Sequence, residues 1–457
     1  MPRLKTKLAA TLRATAVAGA LAGLAVPQTA LAGGLVRDAE IEDTIRAYAT
    51  PVFSAAGLDL NALRLHIVND GALNAFVAGG QQMFVHTGLL LASDSPRQVI
   101  GVLAHETGHI AGGHLARTQE ALRNASTAAI IAFVLGAAAM IGGKGDVGAA
   151  TVLGGTQTAQ ATLFQYSRTQ ESAADQAAAS YLERTQQSAR GLLEMLQKLA
   201  DTDLGPTSSS AAYGRTHPLA RERIAFLQTH VQNSRYSDAP IPATLLDRHA
   251  RMLAKLHGFL DQPGRTFRRY AENDPGIPAR YARTIAHHRQ GNLAEALKGI
   301  DELIASEPAN PYFHELRGQI LFERGHVREA VPSYAQARKL KPESSLLAAL
   351  HGTALVASEE PADLKPAIDV LESAARADPL DAMTWYQLSI AYGRLERYGE
   401  AALASAERAL LNGDFLGARD QARRAMGRLK EGTPGWLRGQ DIEGEALRLR
   451  RLQRGEN

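Results

Sequence analysis

The spacing of apolar residues changes several times along the first hundred positions. In residues 36–56 apolar side chains return every three to four positions, which predicts an amphipathic helix. Residues 63–68 alternate between apolar and polar, as in a strand exposed on one face. Residues 73–78 and 82–86 are rich in strand-forming residues on either side of Gly79-Gly80, and this pattern predicts a β-hairpin.

A helix start is clearly marked after the hairpin. Ser95 suits the N-cap, Pro96 the first helical position and Gln98 the third, so that a helix is expected from here to about Ala116. Two further helices are predicted within residues 171–200. A polar loop over 201–216 and a helix from about Pro218 follow, and Pro-containing residues 236–242 have the composition of a linker.

Residues 124–167 contain two long stretches that are nearly free of charge, joined by the turn-forming residues 142–146. A helix that spans a membrane needs about 20 predominantly apolar residues. The first stretch barely reaches this length and consists largely of alanine, and the second is too polar. A helical hairpin that is buried or touches a membrane surface is therefore favoured over one that spans it.

The amino-terminal residues have the pattern of an export signal. Residues 1–32 contain four basic residues and no acidic one, an apolar stretch over 16–26, and the small-x-small sequence Ala30-Leu31-Ala32. We expect cleavage after Ala32, and an uncleaved membrane anchor is the alternative. The chain has no cysteine, which excludes disulfides, thiolate chemistry and lipid attachment to a cysteine, and which is compatible with export.

Composition and charge narrow the class of protein further. A length of 457 residues suggests two or three domains, and 45% hydrophobic residues exclude a mostly disordered chain. The formal charge is +3, with 50 basic and 47 acidic residues; without residues 1–32 it becomes 46 − 47 = −1. This balance argues against a nucleic-acid-binding protein. The locally basic residues 447–454 are interpreted as a solvated helix end.

The carboxy-terminal part of the chain contains a repeat. The sequence of residues 291–296 returns at 325–330, an offset of 34, whereas Ala330 and Ala367 are 37 apart, which indicates an insertion of three residues near 358–363. A period of 34 residues is typical of tetratricopeptide repeats, which are pairs of helices. Residues 276–457 are therefore predicted to form an all-α solenoid that binds protein partners.

The candidate chemistry lies in His105-Glu106-Thr107-Gly108-His109. Residues four apart on a helix lie on the same face, so that both imidazoles can bind one zinc ion. Glu106 lies next to that face, where it can accept a proton from a zinc-bound water. His114 is about 140° around the helix from His109 and is interpreted as structural. The adjacent His287 and His288 have no ligand spacing and are interpreted as surface residues.

A catalytic zinc site uses three protein ligands, and Glu171 is a candidate for the third. Asp175 lies four residues later and can accept a hydrogen bond from the outer nitrogen of a ligand histidine. By itself this Glu-x-x-x-Asp spacing is weak, since it occurs on many solvated helix faces.

Five stretches of the chain resemble the family of zinc metallopeptidases related to the heat-shock protease HtpX and the CAAX-processing protease. They are residues 74–80, 84–90, 104–110, 171–175 and 216–224. The export signal in front and the repeats behind resemble the periplasmic BepA-type branch of that family. The resemblance implies that His105, His109 and Glu171 bind zinc and that Glu106 is the general base.

The resemblance also implies roles for residues that spacing alone does not single out. A strand containing Phe84, Val85 and His86 would present its edge to an extended substrate. His217 would be a fourth zinc ligand that restrains the protease; donation to a developing oxyanion and capping of the next helix are the alternatives. Arg223 would pair with a carboxylate of the site, although it is also an ordinary residue for a helix surface.

The sequence thus predicts an α+β, predominantly helical protein. A signal peptide (1–32) would precede a zinc metalloprotease domain with a small β-sheet (33–235), which contains the hairpin of 124–167. Connecting helices (236–275) and the repeat domain (276–457) would follow.

The protein is expected to be a periplasmic endopeptidase with one zinc ion per chain. Its expected substrates are unfolded or misassembled outer-membrane proteins, and its repeats are expected to bind the outer-membrane assembly machinery. Peripheral membrane contact is possible, and no nucleic-acid partner is expected. The alternatives are a mainly non-proteolytic chaperone and, more remotely, an intramembrane protease.

Overall fold

The computed structural model describes residues 34–78, 81–114, 168–202, 217 and 221–454. The described residues all belong to one compact unit. Four predicted features lie wholly or mainly outside the described residues: the signal peptide with its cleavage site, the turn at Gly79-Gly80, the hairpin of 124–167 and the loop of 201–216. No helix among the described residues is long and apolar enough to cross a membrane.

The amino-terminal half combines a small sheet with helices. The strands are β1 (Leu35–Val36), β2 (Arg64–Val68), β3 (Ala75–Ala78) and β4 (Gln82–His86). The helices are α1 (Ala39–Ala56), α2 (Thr87–Ala92), α3 (Pro96–Ala111), α4 (Arg168–Arg184), α5 (Arg190–Thr202), α6 (Arg221–Asn233), α7 (Ala243–Leu260) and α8 (Pro263–Arg269), with a 3₁₀ turn at Leu60–Ala62. The strands and helices predicted between residues 36 and 116 are therefore present, and residues 171–200 do form two helices.

The sheet has the strand order β1-β2-β4-β3. Strand β4 pairs with β3 in antiparallel register and with β2 in parallel register, and its five residues are all buried. The prediction that Phe84, Val85 and His86 present an edge to substrate is therefore wrong, because both sides of β4 already have a paired strand. Among the described residues β3 is the outer strand on that side of the sheet.

Two glycines of α3 allow neighbouring helices to approach it closely. A Cβ atom on Gly108 would lie 2.8 Å from the carbonyl oxygen of Ala174 in α4, and one on Gly101 would lie 2.5 Å from the backbone nitrogen of Leu192 in α5. Both distances are too short for a side chain, so that only glycine permits this packing. Helix α4 can therefore lie directly against the segment of α3 that carries the candidate ligands.

Helix α3 begins as predicted but ends earlier than expected. The Ser95 hydroxyl accepts a hydrogen bond from the amide of Arg97 (3.1 Å) at the amino terminus. The helix stops at Ala111 rather than near Ala116, since Gly113 adopts a φ of 61°, a conformation that favours glycine and ends a helix. The residues after Gly113 therefore leave the helical path.

The carboxy-terminal half consists of helix pairs. They are α9 (Ile277–Arg289) with α10 (Leu293–Ser306), α11 (Pro311–Glu323) with α12 (Val327–Leu340), α13 (Ser345–Ala357) with α14 (Leu364–Ala377), α15 (Ala382–Arg394) with α16 (Tyr398–Leu411), and α17 (Phe415–Met426) with α18 (Pro434–Gln453). The first helices of the first three pairs start 34 residues apart, and that of the fourth starts 37 residues after the third. The tetratricopeptide period is thus confirmed, and the three extra residues form a 3₁₀ turn at Pro361–Asp363.

His288 corrects one expectation for the repeats. It is only 3% exposed, and its Nε2 lies 2.8 Å from Glu323 Oε2 on α11. The interpretation of His288 as a surface residue is therefore wrong, because the packing of one helix pair on the next covers it. His287, its neighbour, is only half-buried.

A buried group of charged residues joins the two halves; we call it the Lys255 cluster, and it consists of Asp38, Glu40, Arg251, Lys255 and Glu315. The ammonium of Lys255 on α7 lies 2.8 Å from Asp38, 3.4 Å from Glu315 and 3.7 Å from Glu40. Arg251 Nε lies 2.9 Å from Glu40 Oε1. The first turn of α1 is thereby held against α7 and the first repeats. The division at 235 and 275 stays a prediction, since α7 packs on both halves.

Candidate metal centre

Helix α3 presents two histidines from consecutive turns. His105 and His109 are both fully buried, and their Nε2 atoms lie 3.1 Å apart. Two imidazole nitrogens converge at this distance when both can donate a lone pair to the same cation.

Helix α4 adds a carboxylate to the same point. The Glu171 oxygens lie 3.3 Å from His105 Nε2 and 3.3 Å from His109 Nε2. One turn later Asp175 Oδ1 lies 2.9 Å from the other ring nitrogen, Nδ1, of His105. The structure thus brings these four predicted residues together, with Asp175 positioned to keep the proton of His105 on Nδ1 and to leave Nε2 free.

His217 completes a group of four potential ligands. Its Nδ1 lies 3.2 Å from Glu171 Oε1 and 3.4 Å from His105 Nε2. One ligand atom each from His105, His109, Glu171 and His217 lies within 4.8 Å of the others. Two or three imidazoles and a carboxylate are donors that zinc prefers, so the residues present fit a zinc ion.

The second nitrogen of His217 faces the sheet. Nε2 lies 3.2 Å from the carbonyl oxygen of Ala75 in β3 and 3.4 Å from Glu106 Oε1. An Nε2–H group can donate to the Ala75 carbonyl while Nδ1 remains free for a metal. His217 therefore lies between the ligand group, the outer strand β3 and Glu106.

Glu106 is fully buried, and neither of its carboxylate oxygens has a hydrogen-bond partner among the described residues. Burial raises the pKa of Glu106, and the charges of His217 and His105 oppose this increase. A buried carboxyl without a hydrogen bond is costly, and this cost indicates a functional reason for its position. Its place beside the ligand group suits a group that accepts and then donates a proton.

Arg223 on α6 connects the two carboxylates of α4. Its Nε and Nη2 lie 2.7 Å and 2.9 Å from the two oxygens of Asp175, and its Nη1 lies 2.8 Å from Glu171 Oε2. Arg223 is only 4% exposed. The predicted pairing of Arg223 with a carboxylate thus has a geometric counterpart, and two carboxylates share the contact.

The electrostatics of the group favour the metal-binding forms of Glu171 and His109 but the protonated form of His105. Burial alone raises the pKa of Glu171, but the charge of His217 and hydrogen bonds from three histidines outweigh it and hold the pKa well below its usual range. Burial lowers the pKa of His109 to about 3. Despite burial, hydrogen bonds with Asp175 and Glu171 raise the pKa of His105 to about 9. A protonated His105 would have to lose the proton on Nε2 before that nitrogen could bind a metal.

Two contacts of this group were not predicted from the sequence. One is the backbone carbonyl of Ala75, which no side-chain pattern could indicate. The other is His114, whose Nδ1 lies 3.1 Å from His109 Nδ1. The angle of 140° assumed that α3 continues, and Gly112-Gly113 was the available signal that it does not.

Comparison with known proteins gives the class. Residues 36–231 match the model of "Peptidase family M48", and these residues contain the whole ligand group. Residues 36–231 are thus similar to M48 peptidases, and the chain is a metalloendopeptidase with tetratricopeptide repeats.

Individual relatives are consistent with this class. The chain is 23% identical to the beta-barrel assembly-enhancing protease of Yersinia pestis over 413 residues. This match covers 89% of this chain and 84% of the relative. The protein of the same name from Escherichia coli K12 is 23% identical over 310 residues, which are 67% of this chain and 63% of the relative. The mitochondrial metalloendopeptidase OMA1 of Schizosaccharomyces pombe is 26% identical over 38% of this chain and 48% of its own length.

Proposed function

We propose that the protein is an exported zinc endopeptidase that cleaves misfolded or stalled outer-membrane proteins in the periplasm and that activity is restrained by His217. The observation that supports it most strongly is the buried group of His105, His109, Glu171 and His217 beside the buried carboxyl of Glu106.

One zinc ion per chain would be bound by His105, His109 and Glu171. Zinc in such a site polarises a carbonyl group and lowers the pKa of a bound water. Glu106 would accept a proton on a carboxylate oxygen and return it to the leaving amine of the cleaved peptide bond. Asp175 would orient His105, and Arg223 would hold Glu171 and Asp175 in place.

His217 suits the role of a restraint because of where its two nitrogens lie. A catalytic zinc keeps a fourth position open, whereas a zinc with four protein ligands is closed. With Nδ1 as a fourth ligand and Nε2 donating to Ala75, His217 would fill the position that the reacting water needs. In the alternative role, His217 would move off the metal and donate to the developing oxyanion.

Strand β3 replaces β4 as the proposed binding site for the substrate backbone. The carbonyl oxygen of Ala75 in this strand lies 3.2 Å from Nε2 of His217, beside the ligand group. An extended peptide that pairs with β3 would place a peptide bond next to the ligand group.

The proposed location and partners rest on the export pattern of residues 1–32 and on the names of the relatives. Two relatives are called beta-barrel assembly-enhancing proteases, which supports a role in the assembly of outer-membrane proteins. The repeats would bind the assembly machinery, as extended helical surfaces commonly bind proteins. Contact of residues 124–167 with the membrane surface also stays a prediction.

The test is cleavage of casein, an unfolded model substrate, by the zinc-loaded protein that begins at Gly33. We expect His217→Ala to cut casein faster than the wild type. Glu106→Gln, introduced into whichever of these two proteins cuts faster, should lower the rate of cleavage by about 10²–10⁴-fold, because glutamine cannot accept a proton. Glu183→Gln, at the far end of α4, is the matched control and should behave as the wild type.

A second candidate function follows from the same geometry. Four potential ligands around one point favour a closed metal, and such a protein could act as an assembly factor whose peptidase is silent. If neither the wild type nor His217→Ala cuts while both bind zinc, this candidate replaces the first. If the wild type cuts as fast as His217→Ala, the proposed restraint is wrong.

A further inference from the structure

The chain reverses direction directly after α3 and brings His114 back against the helix. The amide of His114 donates to the carbonyl of His109 (3.2 Å), and Gly113 provides the positive φ of 61° for this turn. A Cβ atom on Gly112 would lie 2.6 Å from His114 Nε2. Two glycines thus create the space in which the half-buried His114 ring packs on α3.

The ring of His114 faces the outer nitrogen of His109. The two Nδ1 atoms are 3.1 Å apart, and the ring planes form an angle of 76°. His109 Nε2 points to the ligand group, so a metal on Nε2 leaves the proton of His109 on Nδ1. That Nδ1–H can donate to His114 only if His114 accepts with its own Nδ1 and carries its proton on Nε2.

The two histidines of α3 therefore have different outer partners. His105 faces the carboxylate of Asp175 at 2.9 Å, whereas His109 faces a neutral imidazole. A further carboxylate beside His109 would add a buried negative charge to a group that already contains Glu171 and Asp175 and a single arginine, Arg223. A neutral acceptor orients His109 without that cost.

We infer that His114 is a positioning residue for the metal: it accepts a hydrogen bond from His109 Nδ1–H and thereby fixes the tautomer and orientation of that ligand. Outer partners of this kind commonly change metal affinity by about 10–100-fold. The inference rests on the proposed zinc site, although it does not depend on peptidase activity or on the restraint by His217.

The test measures zinc affinity by competition with a chromophoric chelator, using the protein that begins at Gly33. We expect His114→Leu and His114→Ala to weaken zinc binding by about 10–100-fold. His114→Asn should stay within about threefold of the wild type, because the side-chain oxygen of asparagine can accept at the position of Nδ1. His66→Leu, which removes a half-buried histidine hydrogen-bonded to Gln82 in the sheet, is the control and should bind zinc as the wild type does.

A second measurement separates positioning from general packing. The urea midpoint of the metal-free protein should be the same for His114→Asn and the wild type. The midpoints of His114→Asn and His114→Leu should differ chiefly when the two proteins are loaded with zinc. The inference would be overturned if His114→Leu and His114→Ala bound zinc as tightly as the wild type. It would also be overturned if His114→Asn bound zinc as weakly as His114→Leu. Failure of the wild type to bind zinc would overturn it together with the proposed function, whereas zinc binding without casein cleavage would count against the proposed peptidase alone.

Discussion

The metal centre and the Lys255 cluster are both buried groups of charged residues, but they differ in what lies at their middle. In the Lys255 cluster an ammonium of the chain itself lies among the carboxylates of Asp38, Glu40 and Glu315. In the metal centre the side chains of His105, His109, Glu171 and His217 point their lone pairs at one another, and the cation Arg223 lies behind the carboxylates. The first group is complete without a ligand, whereas the second has the donors for a cation that the chain does not supply.

This difference separates a structural role from a chemical one. A buried ion pair that the protein completes by itself contributes little net stability but fixes orientation, and breaking it is costly. A converging set of imidazoles and one carboxylate gains most from a divalent metal. The two groups should therefore respond to different substitutions and different measurements.

The largest expected effect is the loss of a ligand. Glu171→Gln removes the anionic ligand, and the zinc dissociation constant should rise by about 10³-fold, since four ligands share a binding free energy of roughly 10–16 kcal/mol. Isothermal titration against a competing chelator measures this change. Glu183→Gln, on the same helix, should leave the constant unchanged, and an equal effect of both variants would mean that Glu171 is no ligand.

Removal of Lys255 should affect stability and leave the metal in place. Lys255→Met leaves the buried carboxylates of Glu40 and Glu315 and the half-buried one of Asp38 with one cation fewer, and the free energy of unfolding should fall by about 3 kcal/mol. Urea denaturation measures it, with the exposed Lys298→Met as a control that should change stability by less than about 0.5 kcal/mol. A loss of bound zinc in folded Lys255→Met would break the separation of the two groups.

Asp175→Asn tests the outer contact of His105. It keeps the size of the side chain but removes the charge that faces Nδ1 of His105 and the guanidinium of Arg223. Zinc affinity should fall by about 10–100-fold, which is less than for the loss of a ligand. Asp201→Asn, an exposed position of α5, is the control; unchanged affinity in Asp175→Asn would show that the contact does not orient the ligand.

The smallest expected effect is a pH dependence in the Lys255 cluster. Burial, opposed mainly by Lys255, raises the pKa of Glu315 from 4.5 to about 7. The folded protein therefore binds this proton more tightly than the unfolded chain, so that the stabilisation is full below pH 4.5 and is lost as the pH rises through 7. Between pH 4.5 and 8 the free energy of unfolding of the wild type should therefore fall relative to that of Glu315→Gln. Parallel stability curves for the two proteins would contradict this.

The local part of each group could be predicted from the sequence. His105 and His109 lie on one face of α3 because residues four apart on a helix do so, and the same rule placed Glu171 beside Asp175. The repeats were predictable because their period is long, regular and marked by small residues at fixed positions.

The remaining features depend on contacts that are distant in sequence. Strand β4 is central because β2, formed more than a dozen residues earlier, pairs with its other side, and no local pattern specifies that choice. The ion pairs of the Lys255 cluster all link residues that are distant in sequence, from Asp38 and Glu40 through Arg251 and Lys255 to Glu315. His114 was misplaced for a different reason, since one glycine with positive φ redirects the chain.

The most direct test of the account is the metal content of the protein that begins at Gly33, measured by native mass spectrometry together with elemental analysis. We predict one zinc ion per chain in the wild type, in Glu106→Gln and in Lys255→Met, and none in a variant that combines His105→Ala with His109→Ala. A wild type without zinc under zinc-replete conditions, or a double variant that keeps it, would contradict the assignment of this group as the metal centre.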